Sequence, residues 1–153
     1  MDKQLQQKLF KKYPEIFQDR FTNRNRMQDG ITCGNGWYEL IDQACNELRF
    51  LGTRFGVLVT FSQVKAKKSE GTLRIYVNPI EFPDWSKYRP CLKLSKANKA
   101  TVENLISKIL HYAMCKSSDI CEECGNYGPI QRIEHKHVFC LCNKCWGKLK
   151  KGK

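Results

Sequence analysis

The sequence predicts an α+β fold: a small antiparallel sheet packed with helices, followed by a C-terminal module held by cysteines. Three observations predict it. Two apolar stripes recur at helical spacing, one over residues 37–51 and one over residues 102–113. Between them, residues 55–65 and 72–77 are rich in β-branched and aromatic side chains and are joined by a polar turn. Beyond residue 118, the run CEECGNYGPIQRIEHKHVFCLCNKC sets two Cys-x-x-Cys pairs around a short hairpin. The chain therefore divides into an α+β body, residues 1–117, and a cysteine module with a basic tail, residues 118–153.

Taken in order, Leu5, Leu9, Phe10 and Tyr13 predict an amphipathic helix over residues 3–13, and Pro14 ends it or begins another. Residues 22–30 are polar and read as a loop. The best helix opens near Asn35 or Gly36 as cap, with Glu39 in its first turn, where negative charge is favoured. Its stripe is Trp37, Leu40, Ile41, Ala44, Leu48 and Leu51, and Gly52 is placed to end it. In the hairpin that follows, Leu73, Ile75 and Val77 face the core, while Arg74 and Tyr76 face outward. Lys65, Lys67 and Lys68 give the hairpin a basic rim; with Arg74 they are candidate partner-binding residues. Residues 78–98 carry three prolines and read as an irregular connection along the sheet. Within it Trp85 and Tyr88 either cover the core or, if exposed, anchor a protein contact. Thr101 is placed to cap the second helix, whose stripe is Val102, Leu105, Ile106, Ile109, Leu110 and Ala113.

Cys121, Cys124, Cys142 and Cys145 form the metal site. Seventeen residues separate the two pairs, a spacing read as zinc-binding. Four thiolates gathered by a hairpin give the closed tetrahedral cage of structural zinc, so the module reads as a zinc ribbon. Gly125 suits the knuckle turn after Cys124, where positive φ is often required. Cys140 is the spare sulfur, two residues before Cys142 and on the same side of the strand. Cys142 is preferred because it starts a Cys-x-x-Cys turn, and His135 and His137 are placed facing solvent.

A chain of 153 residues is long enough for one core plus a small metal module. Nine cysteines, an odd count, fit a reducing cytosol better than a disulfide framework. No apolar run suits a signal peptide or a membrane span, so the expected location is the cytoplasm. The net charge of +12 favours an anionic partner, nucleic acid or an acidic protein face, and excludes a nucleic-acid mimic. Part of that charge lies in the lysine-rich end after Cys145, where disorder is common.

Three stretches together carry a resemblance. YPEIF followed by GITCGNGWYELIDQACNEL, then FSQVKAKKSEGTLRIYV, then the terminal cysteine pairs resemble a small family encoded by bacteriophages and prophages. The match spans most of the chain apart from residues 78–100. That niche implies a non-enzymatic, zinc-binding inhibitor that binds a host defence effector, with a CRISPR-class nuclease as the first target, in the manner of an anti-CRISPR protein. The alternative is a nucleic-acid-binding zinc ribbon acting through its basic surfaces. The terminal module also resembles the frame of HNH-type nucleases, but His135 and His137 lie too close to Cys142 for the usual catalytic loop, and Trp146 stands where a later histidine is expected.

Overall fold

The structure, a computed structural model, describes residues 1–22, 25–80 and 96–151. Trp85, Tyr88 and Cys91 lie outside the described residues. Helix α1, Lys3–Lys12, buries Leu9 completely and stops before Pro14. Tyr13, Ile16 and Phe17 follow into the core, and the Tyr13 hydroxyl donates to the Asp42 carbonyl at 3.1 Å. Two short 3-10 turns, Gln18–Phe21 and Arg26–Asp29, carry the polar loop. The Asn25 side chain caps the second by accepting the Met27 N–H.

Strand β1, Ile31–Thr32, leads through a 3-10 turn, Asn35–Trp37, into helix α2, Tyr38–Phe55. The helix returns the chain to the end from which β1 started, so strand β2, Phe61–Lys67, pairs parallel to β1, with Ile31 opposite Val64. Strand β3, Thr72–Val77, then pairs antiparallel to β2. The sheet is therefore mixed, where the sequence suggested a purely antiparallel one. Its parallel pair requires the helical crossover that α2 supplies. The register shift between Phe61 and Gln63 is a bulge. It lets Phe61 and Val64 both reach the core, although they are three residues apart.

Three boundaries differ from the sequence pattern. Helix α2 runs past Gly52 and ends at Gly56, whose φ of 64° supplies the left-handed cap. Gly52 serves a different purpose, because a Cβ there would meet the Val57 carbonyl oxygen as the chain reverses. Residues 55–60, strand-like in composition, are the end of that helix and a connection. Helix α3, Lys96–Ser117, begins before Thr101. It lays Val102, Ile106 and Ala113 on the core beside α2 and β3. Ser117, fully buried at its end, accepts the Leu73 N–H at 2.8 Å and so satisfies one donor on the outer edge of β3.

The zinc-ribbon-like module follows. Strands β4, Ile130–Glu134, and β5, His137–Leu141, form an antiparallel pair turned by His135 and Lys136. Both turn residues have positive φ, 50° and 77°, the pattern of the tight hairpin turn that prefers Asn-Gly. Lysine is poorly suited to that backbone. Lys136→Gly is expected to stabilise the hairpin by about 1 kcal/mol, read as a rise in thermal midpoint. Of the lysine-rich end, the described part is ordered: Asn143–Lys151 forms helix α4. Trp146 packs on Phe139 with ring centroids 6.0 Å apart, Arg132 and Lys150 lie over the Trp146 ring, and Lys150 pairs with Glu134 at 2.8 Å. Among the described residues, no helix is long and apolar enough to cross a membrane.

Candidate metal centre and its cradle

Each cysteine pair is delivered by a turn that its own sequence dictates. In the first, Gly125 takes φ 77°, and its N–H donates to the Cys121 carbonyl at 2.9 Å. The second opens α4, where the Cys142 carbonyl accepts the Trp146 N–H. The Cys142 thiol sits low, at about 7, chiefly because the Cys145 backbone N–H reaches its sulfur at the helix start. The Cys142 N–H in turn approaches the Cys121 sulfur at 3.4 Å.

The four sulfurs, from Cys121, Cys124, Cys142 and Cys145, all lie within 4.8 Å of one another. Cys124 Sγ and Cys142 Sγ are 3.8 Å apart. A tetrahedral ion with metal–sulfur bonds of about 2.3 Å separates its ligands by about 3.8 Å, so the donor set fits a metal ion. All four predicted residues are thus brought together. With four sulfurs bound, a tetrahedral ion has no coordination position left for water or substrate.

Cys140 belongs to a different structure. It is fully buried, and its thiol donates to the carbonyls of Ser117 at 3.3 Å and Ser118 at 3.4 Å, at the end of α3. Burial pushes that thiol up to about 11. Cys140→Ala is expected to leave metal stoichiometry unchanged and cost about 1–2 kcal/mol of stability, checked by metal analysis and denaturation of one preparation. His135 and His137 are exposed at the hairpin tip. Cys33 is also buried, and burial lifts its thiol to about 12.

Sequence reasoning missed the surface that receives the first knuckle. The segment Cys33-Gly-Asn-Gly-Trp37 cradles it. The Gly36 N–H donates to the Glu122 carbonyl at 2.7 Å, the Gly34 N–H donates to the Glu122 carboxylate at 3.0 Å, and the buried Trp37 indole donates to the Ile120 carbonyl at 2.9 Å. A Cβ on Gly36 would lie within 3.0 Å of the Cys121 carbonyl, the Glu122 carbonyl and the Gly125 nitrogen. One on Gly34 would strike Glu122. Burial raises the Glu122 carboxyl above its usual range. The Gly-x-Gly-Trp spacing is the signal that could have identified this surface, since two glycines in three residues permit close backbone approach.

The candidate partner-binding residues are only partly free. Lys67 and Arg74 both engage Glu70. That pairing holds the Glu70 carboxyl down at about 2, chiefly through its hydrogen bond from Lys67. Lys65 lies over the Tyr76 ring at 5.4 Å on the outer sheet face, and Lys68 is exposed. The backbone of Lys68 is committed to the terminal module, its carbonyl accepting the Val138 N–H at 2.6 Å. No family model, curated protein or solved structure matches the chain.

Proposed function

We propose that the chain is a zinc-stabilised binding protein that acts by contact and carries out no reaction of its own. The observation that carries it is the cage of four mutually close cysteine sulfurs, which supplies every ligand that a tetrahedral zinc ion takes and leaves no position for chemistry. The net charge of +12 supports an anionic partner. The resemblance to phage-encoded proteins directs the search to host defence effectors. A CRISPR-class nuclease, whose nucleic-acid-handling surfaces such a protein would obstruct, is the first to test.

One observation favours a second reading. Lys65 stacked on Tyr76, beside exposed Lys68, offers a cation and a ring on one sheet face, the elements of a nucleic-acid platform. The test is capture from host lysate by the zinc-loaded protein, with and without nuclease treatment, followed by mass spectrometry. A single protein retained after nuclease supports the contact reading. Capture that disappears with nuclease supports the second, which also predicts a log–log salt slope of about −0.9 per neutralised phosphate on duplex DNA.

A further inference from the structure

We infer that the free edge of β4 is a strand-addition site for an extended, acidic segment of a partner protein. The inference deepens the contact reading above and rests on it.

The backbone settles which groups are available. On β5, the Val138 N–H donates to the Lys68 carbonyl and the Cys140 carbonyl accepts the Glu122 N–H. Val138 and Cys140 therefore point their backbone groups away from β4, toward the body. Their cross-strand partners are Ile133 and Gln131. In an antiparallel ladder, facing residues either exchange hydrogen bonds with each other or both point outward. Gln131 and Ile133 thus present their N–H and C=O groups along the opposite edge, and among the described residues nothing pairs with them.

Side chains around this edge are unusual for one left bare. Ile133 is 78% exposed and Ile130 50% exposed. Bare edges are commonly guarded by lysine, proline or inward charge. Lysine and proline are absent from the five residues of β4, and its two charges, Arg132 and Glu134, are held on the α4 face by Asn143, Trp146 and Lys150, so Gln131 and Ile133 on the opposite face carry no such guard. By contrast, on the outer edge of β3 the Leu73 N–H is taken by Ser117 at the end of α3.

Charge selects the occupant. Helix α4 packs on the hairpin face that carries Arg132, Glu134 and Phe139, joined to β4 through Arg132–Asn143 and Lys150–Glu134. Lys144, Lys148 and Lys151 of that helix are exposed, as is Lys136 at the hairpin tip. Glu134, the one acid of β4, is already held by Lys150. A second copy would bring another charge of +12 to this surface. Ile130 and Ile133, three residues apart, lie on opposite faces of the hairpin, so an extended segment that alternates aliphatic and acidic residues sets its aliphatic side chains beside Ile133 and its acids on the α4 face, with the backbone edge between them.

The test selects a displayed library of random short peptides against the full-length zinc-loaded protein. The selected peptides are then compared on wild type, Gln131→Pro and Ile133→Glu. Proline at 131 removes an N–H that the β4–β5 ladder does not use, and glutamate at 133 leaves the backbone intact at an exposed position. Zinc content and thermal midpoint confirm that each variant folds. The expected result is enrichment of alternating aliphatic–acidic peptides, binding weakened about tenfold or more by either variant, and hydrogen-exchange protection gained at the amides of Gln131 and Ile133. Equal binding to wild type and both variants overturns the inference. So do protection confined to other residues, failure of any peptide to enrich, or dimerisation of the free protein that Ile133→Glu abolishes. Lysate capture separates the two levels. A host protein retained equally by both variants removes the β4 site and leaves the contact reading standing, whereas no nuclease-resistant capture by wild type removes the contact reading itself.

Discussion

Stripping the metal from the four-cysteine cage will lower the unfolding free energy by several kcal/mol and will expose Trp37, well outside the module. Structural zinc contributes roughly 10–16 kcal/mol of binding free energy in finger peptides, and a hairpin with a half-exposed ladder has little else to close it. The effect reaches the body because the two parts share bonds. Trp37 donates to Ile120, Gly36 to Glu122, and Val138 to Lys68. When the first knuckle opens, a buried indole loses its acceptor, and an unpaired buried donor costs about 1–3 kcal/mol. The measurement is denaturation with and without chelator, with intrinsic fluorescence read in a Trp85→Phe, Trp146→Phe background so that Trp37 alone reports. A red shift on chelation is expected. An unshifted Trp37 spectrum would show that the cradle stands without the knuckle.

Gly36→Ala is expected to be among the most damaging single substitutions in the protein. The added methyl must displace three backbone atoms of the metal-binding turn, and none of them can swing aside as a side chain would. Overpacking of this kind costs about 1–3 kcal/mol or more. Its signature separates it from a simple helix-start effect: metal affinity falls with stability, because the atoms displaced belong to Cys121 and Gly125. Competition with a chromogenic chelator reads that affinity directly. Loss of stability with unchanged metal affinity would mean that the knuckle closes without the cradle.

Much of the architecture was legible because single residues enforce it. Pro14 ends α1, the alternation from Leu73 to Val77 sets β3, and the cysteine pairs set the ribbon. What escaped depends on contacts far apart in the chain. Strand β1 is two residues long and has no pattern of its own; it exists because α2 brings β2 back beside it. Val57 and Val59 look like strand but are buried in a connection, because Gly56 rather than Gly52 ends the helix. The lysine-rich end forms α4 because Trp146 finds Phe139 and Arg132 across the module. The metal ligands could be read from spacing, while the Gly-x-Gly-Trp spacing signals a close backbone approach without naming what approaches, which is Glu122, 86 residues beyond Gly36.

The same distinction applies to charge. Composition shows the excess of basic residues but not which of them are spent. Lys67 and Arg74, prominent in the sequence, are bound to Glu70, and Lys150 is bound to Glu134. Exposed cations with no such acidic partner shown include Lys68, Lys136 and, on α4, Lys144, Lys148 and Lys151.

The most direct test of the metal centre is X-ray absorption at the zinc edge of the purified protein. Four sulfur neighbours at about 2.3 Å, with no lighter scatterer in the first shell, are the predicted result. A nitrogen or oxygen neighbour at about 2.0–2.2 Å would contradict it: it would bring a histidine or water into the site and reopen the position that the four-thiolate cage closes.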